Sequence, residues 1–291
     1  MVWSMRAGSQ YVEFGDTLSG LGLVTDPEIS LDAESEMVSN PRGDGRRPGQ
    51  DFMAGQVVSL LVEALPDHRP LDEVWRELFT VWRGDEVRGR GGLLAELTAH
   101  SGRRALGRPR PIAPDMKNRV VNVNRAELTF EAVDDLWYGP EEVTEISFAP
   151  PVGGGLRFPA RSPFRFNAGP SVRNGSVVVS GDVACSPVLE IRGPVSNPEI
   201  DIVGLGKLQF RVALASDQRL VVDTRHWARW VKRGYTDSTD LAAFPGALSP
   251  SGLRLSDVVL RPGAYQVLLR GFDPTGTAKL RVLREPAFTS Y

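Results

Sequence analysis

Between residues 177 and 283 the chain is broken into short runs rich in Val, Ile, Leu and Phe, each followed closely by residues that turn the backbone. The runs lie at 177–179, 188–191, 199–203, 208–214, 220–223, 253–260, 265–269 and 278–283. Asn174-Gly175, Ser216-Asp217, Pro262-Gly263 and Asp273-Pro274 punctuate them. Short strands at this spacing predict an all-β sandwich or jelly roll, not a parallel sheet with crossover helices. The heaviest punctuation falls in residues 191–204, IRGPVSNPEIDIVG, where Gly193-Pro194 and Asn197-Pro198 stand between β-branched runs. This stretch reads as a chain reversal between paired strands.

The first half mixes periods. Residues 56–65, QVVSLLVEAL, fit a buried strand. In PLDEVWRELFTVW the apolar residues Leu71, Val74, Trp75, Leu78, Phe79 and Trp82 recur at i, i+3, i+4, i+7, i+8 and i+11, predicting a helix near 70–83 that lies on a core and ends at Gly84. Residues 93–98 read as a strand. Residues 119–133 read as a long strand with one wet face, alternating through Val121, Val123, Leu128, Phe130 and Ala132. The texture changes across 137–161, where Pro150-Pro151 and Gly153-Gly154-Gly155 suit a boundary. The expectation is a mainly β protein with one notable helix: an α+β domain over 1–149 and an all-β domain over 150–291. A chain of 291 residues has room for either one large core or two domains.

Composition excludes several classes. A net charge of −2 gives no bulk attraction to nucleic acid or anionic membrane. Cys185 is the only cysteine, so neither an intrachain disulfide nor a cysteine-based zinc site can form within one chain, and a reducing compartment is expected. No apolar run has the length of a signal peptide core or of a membrane span.

The candidate chemistry is sparse. His68, His100 and His226 show no ligand spacing, and no metal site is expected. Ser180 in VVSGD lacks a GxSxG elbow and reads as a hairpin tip. Asp134-Asp135 and Glu141-Glu142 are adjacent, so on extended chain they point to opposite faces and make poor acid/base pairs. Gly204-Leu205-Gly206-Lys207 lacks the GxxxxGK[ST] spacing and reads as a hairpin. RGD occurs at 42–44 and 83–85, the second where the helix ends, and both read as turns. No catalytic or cofactor-binding residue is assigned. The loop NPRGDGRRPGQ, 40–50, reads as a surface hairpin. Its functional reading is an assembly loop carrying Arg42, Asp44, Arg46 and Arg47, since guanidinium groups suit interface carboxylates. Trp227 and Trp230 are candidates for stacking on a sugar, although aromatic residues in strands more often pack on a core.

Taken in order, LRFPARSPFRF, the Asn174-Gly175 turn, IRGPVSNPEI, the hairpin at 204–206, LQFRVAL, RLVVDT with Asp223, VVLRPGAYQVLLRG and TAKLRVLREPAFTSY resemble the C-terminal domain of siphophage distal tail proteins. GQVVSLLVEAL, the helix and FEAVDDLWYG are similar to the ring-forming N-terminal domain of that family. Two departures stand out. Ala264-Tyr265 occupies a position usually held by asparagine, and no carbohydrate-binding insertion fits, which argues against direct receptor binding.

The resemblance implies an α+β ring-forming domain followed by a galectin-like sandwich. It further implies a non-enzymatic structural virion protein without cofactors, assembled in the host cytoplasm into a homohexameric ring at the tail tip of a long-tailed bacteriophage. The implied partners are further copies of itself, the tail tube protein, the tape measure protein and the tail-tip or baseplate hub. The alternative is a glycan-binding sandwich that contacts the host surface through Trp227 or Trp230.

Overall fold

The computed structural model describes residues 1–15, 19–65, 69–115, 125–148 and 175–291. The chain is mainly β and forms two compact units, Met1–Pro140 with Phe288–Tyr291, and Glu141–Ala287. The boundary expected at 149/150 falls among residues outside the described ones. The contacts divide the chain after Pro140, and the last four residues return to the first unit.

The first unit contains β1 (Trp3–Ala7), β2 (Gln10–Phe14), β3 (Leu21–Leu23), β4 (Glu28–Glu34), β5 (Met37–Ser39), β6 (Arg46–Pro48), β7 (Phe52–Ala64), β8 (Ala95–Thr98), β9 (Arg104–Pro109), β10 (Ala113–Asp115), β11 (Arg125–Ala132) and β12 (Trp137–Tyr138). Its main sheet runs β2-β1-β8-β9-β11-β7-β3, with β4 on β7, β10 on β11 and β12 on β9. The expected alternation of β11 is seen: Ala126, Leu128, Phe130 and Ala132 are buried. Val121 and Val123 lie outside the described residues. Strand β7 is longer than expected and buries Gln56, Val58, Leu60, Val62 and Ala64 on one face. Strands β1 to β4 were not anticipated, because β1 to β3 are short and β4 is interrupted by charged residues.

Helix α1 (Leu71–Arg83) packs on this sheet. Asp72 and Glu73 in its first turn favour the positive end of the helix dipole. Gly84 ends the helix in the left-handed region (φ 59°), where its N–H reaches the Val81 carbonyl. A single further turn, α2 (Asp85–Arg88), follows. The buried face consists of Val74, Leu78, Val81 and Trp82. Phe79, counted in the expected stripe, is 43% exposed, while Val81, outside it, is buried. Periodicity locates an apolar stripe but not the side of it that meets the sheet. Trp82 stacks edge-on against Phe14 and donates its indole N–H to the Arg110 carbonyl at 2.9 Å.

The chain's last residues complete this core. The Tyr291 ring lies 5.1 Å from Trp3 and 5.4 Å from Trp137, and the Arg103 guanidinium sits 3.6 Å above Phe288.

The second unit contains β13 (Glu142–Ser147), β14 (Gly175–Val179), β15 (Val188–Arg192), β16 (Val195–Ile202), β17 (Gly206–Gln209), β18 (Ala213–Leu214), β19 (Gln218–Asp223), β20 (Trp230–Tyr235), β21 (Leu241–Ala243), β22 (Gly263–Phe272) and β23 (Lys279–Arg284). A two-residue strand, β24 (Ala287–Phe288), spans the point where the chain returns to the first unit. One sheet runs β13-β23-β15-β19-β20-β21; the other runs β14-β22-β16-β17, with β18 on β16. All these pairings are antiparallel, and both sheets contribute buried alternate residues.

Several expectations for this unit change. IRGPVSNPEIDIVG is not a reversal between paired strands, because β15 and β16 lie in different sheets and the turn carries the chain from one to the other. Asn197-Pro198 is not part of the turn. It lies within β16, where Asn197 has φ 48° and the register against β22 shifts between Ser196 and Glu199. The Gly193-Pro194 peptide is cis.

Residues 253–260 form a 3₁₀ turn (Leu255–Asp257) and a single bridge from Leu260 to Cys185 in place of a strand. The Asp257 carboxylate accepts from the Arg254 N–H, a local bond that competes with strand pairing. The run at 208–214 is divided between β17 and β18.

Candidate assembly surfaces and the remaining site candidates

Strand β7 pairs with β11 from Val57 onward, opposite Glu131. Its leading residues pair with β4: Gln56 opposite Leu31, Met53 opposite Ala33 and Phe52 opposite Glu34. A two-stranded ribbon therefore runs on past the sheet and continues into the β5–β6 hairpin, with Met37 opposite Pro48, Val38 opposite Arg47 and Ser39 opposite Arg46. Leu31, Met37, Val38, Phe52 and Met53 are each more than half exposed. A bare two-stranded ribbon is marginally stable in water, and apolar side chains exposed along both of its faces suit a surface that a partner covers.

The structure brings Arg42, Asp44, Arg46 and Arg47 together at the tip of this ribbon, all exposed. The turn is held by Asn40, whose N–H reaches the Gly45 carbonyl and whose side-chain amide reaches that of Asp44, both at 3.2 Å. Gly45 adopts φ 95°. Below the turn, the Gly49 N–H closes on the Glu36 carbonyl at 2.6 Å. The second RGD has a local role: Gly84 ends α1 and Arg83 Nε donates to Asp85 at 3.0 Å.

The other sequence candidates are dispersed. Trp227 follows β19 in a turn, with His226 edge-on to it at 4.6 Å and the Arg225 guanidinium 5.4 Å from its ring centre. Trp230 begins β20, with Lys232 Nζ 4.1 Å over its ring. His100 packs against Trp3 and Tyr291. His68 lies outside the described residues. Asp134 accepts from the Tyr138 hydroxyl and the Leu136 N–H, and Glu142 pairs with Arg284 at 2.8 Å. Ser180 is not a hairpin tip. It follows β14, whose partner is β22, and it donates to Glu142 at 3.0 Å. Residues 204–207 form the β16–β17 hairpin, with Lys207 paired to Glu199 at 2.8 Å.

Cys185 is buried, and desolvation pushes its thiol up to about 11. Among the described residues, no group of three or more His, Cys, Asp or Glu side chains is arranged to hold a metal ion.

Sequence reasoning missed the stem of the ribbon and a cleft beside α1 lined by arginines. The stem carried one legible signal: residues 28–36, EISLDAESE, hold four acidic residues and no basic one.

No family model matches the chain, and no curated protein matches it. Solved structures do. The Dit (gp 19.1) protein of phage SPP1, described as a paradigm of the hub adsorption apparatus in phages infecting Gram-positive bacteria, superposes with a TM-score of 0.57 at 12% identity, covering 98% of this chain and 99% of that one. A chain of the phage P2 baseplate in its activated, Ca-containing conformation gives 0.57 at 10% identity, covering 97% of both. The Sr-containing form gives 0.56 at 11% identity, with the same coverage. The chain therefore has the fold of these phage hub and baseplate proteins across nearly its whole length.

Proposed function

We propose that this chain is a structural virion protein of a long-tailed bacteriophage, a distal tail ring that joins the tail tube to the tail-tip or baseplate hub. The observation that carries the reading is the match of one fold over 97% or more of both chains with proteins described as hub and baseplate components. The exposed apolar ribbon supports it, since such a surface needs a partner to cover it.

In this reading the first unit forms the ring, the second is a galectin-like sandwich, and the ribbon tip with Arg42, Asp44, Arg46 and Arg47 takes part in assembly. The partners are further copies of the chain, the tail tube protein, the tape measure protein and the hub. No catalytic role is assigned, and the site of action is the tail tip after assembly in the host cytoplasm. The glycan-stacking alternative gains nothing from the geometry, because Lys232 lies over the Trp230 ring and Arg225 near that of Trp227.

Negative-stain imaging and sedimentation of the purified chain test the proposal. A closed ring with a central channel is expected. A monomer at high concentration, together with absence of the chain from tail particles by mass spectrometry, would overturn it.

A further inference from the structure

Beside the C-terminal end of α1, a cleft of about 580 Å³ opens between α1, α2 and β9. Among the described residues, every charged side chain lining it is an arginine: Arg83, Arg88, Arg108 and Arg110. Its floor is apolar, with the half-exposed Phe79 beside Trp82. The local carboxylates neutralise only part of this charge. Arg83 and Arg88 share the single Asp85, Arg110 pairs with Glu131, and Arg108 reaches the carbonyls of Arg90 and Leu93 at 3.0 and 3.2 Å. A cationic rim over an apolar floor recognises an extended segment that carries carboxylates and apolar side chains together.

The same unit exposes such a segment. Glu34 and Glu36 stand along the stem of the ribbon, with no basic residue between positions 28 and 39. Leu31, Met37, Phe52 and Met53 are exposed beside them. Charge and apolarity match the cleft in both respects.

We infer that the arginine cleft of one copy receives the acidic, apolar stem of the ribbon of a second copy. The inference rests on the ring reading above and deepens it by naming the two surfaces that meet. Repeated head to tail, cleft to stem, the contact propagates around a ring; exchanged reciprocally between two copies it would stop at a two-fold dimer, an outcome that sedimentation distinguishes.

The test uses the full chain. Glu34→Arg with Glu36→Arg, or Arg83→Glu with Arg88→Glu, is expected to weaken self-association at least 10-fold by sedimentation, with circular dichroism unchanged. Both pairs of reversals in one chain are expected to restore association. Independently, Glu36→Cys protein is mixed with Arg88→Cys protein and treated briefly with a short bismaleimide, with buried Cys185 alone as the control. The mixed dimer is expected to dominate over either homodimer.

If the unmodified chain assembles while the reversals change nothing and no mixed product forms, the inference fails and the ring reading stands. If the unmodified chain remains monomeric and no cross-link forms, the inference fails, and absence of the chain from tail particles would then overturn the ring reading too. A reversal variant that does not fold leaves the decision to the cross-link.

Discussion

Gly193 lies so close to Ala215 that an added Cβ would overlap the Ala215 carbonyl oxygen and stand only 2.9 Å from the Leu214 carbonyl oxygen. The obstacle is backbone, which cannot swing aside as a side chain does. The Gly193 N–H also bonds the Gln218 carbonyl at 3.0 Å, pinning the passage from β15 to β16. Gly193→Ala is expected to destabilise the protein by about 1–3 kcal/mol, the usual cost of overpacking. An unchanged midpoint in urea unfolding would show that the crossing tolerates a side chain.

Glu190 is buried on β15 and pairs with Arg192 at 2.6 Å, Arg281 at 3.2 Å and Arg219 at 3.6 Å. Its neutral isostere leaves three guanidinium groups facing one another. Glu190→Gln is expected to cost about 2–3 kcal/mol. That is less than the 3–5 kcal/mol of a fully buried pair, because the arginines keep some solvent access. Thermal unfolding at low and high salt checks this, and salt is expected to recover part of the loss.

The return of the last four residues to the first unit predicts sensitivity at the very end of the chain. Tyr291→Ala removes ring contacts to Trp3, Trp137 and His100. It is expected to cost about 1–2 kcal/mol from lost apolar burial and aromatic packing. Truncation after Ala287 removes Phe288 as well and is expected to cost more. Wild-type resistance to limited proteolysis in the truncated chain would refute the packing role.

The Cys185 thiol, buried and raised to about 11, is expected to be inert to a disulfide reagent at pH 8 in the native protein and to react fully in denaturant. Rapid labelling of folded protein would contradict its burial.

Acid is expected to weaken the second unit through Glu199 and Asp273. Burial alone raises both carboxyls. It is outweighed at Glu199 by hydrogen bonds from Lys207 and Gln209, and at Asp273 by bonds from the Ala278 and Thr275 backbone and the Thr275 hydroxyl, so each folded value lies below its ordinary one of 4.5 or 3.8. A depressed folded value means that the contribution is complete above the ordinary value and is lost as pH falls through the folded one. Stability is therefore expected to be flat in this respect above about pH 5 and to decline below the ordinary carboxylate range. Asp273→Asn is expected to flatten that decline, as followed by unfolding across a pH series.

Local chemistry was readable wherever a residue's neighbours in sequence are also its neighbours in space. The α1 periodicity, the Gly84 stop, the 204–207 hairpin and the alternation of β11 all meet that condition. The tip of the ribbon was also legible, because Asn40, Gly45 and the arginines of the 40–50 loop build a hairpin among themselves. The stem was less so. Its importance arises from β7 outrunning β11, a property of strand pairing that no local window contains.

The sequence by itself determined that the chain would be mainly β with one amphipathic helix, because period-2 and period-3.6 burial are written into each segment. The tertiary structure alone decided that Gly193-Pro194 joins two sheets, that Tyr291 closes the first unit's core, and that four arginines separated by up to 27 positions line one cleft. Each of these depends on contacts between residues far apart in the chain, where the identity of the partner is set by packing of whole elements and not by any local propensity.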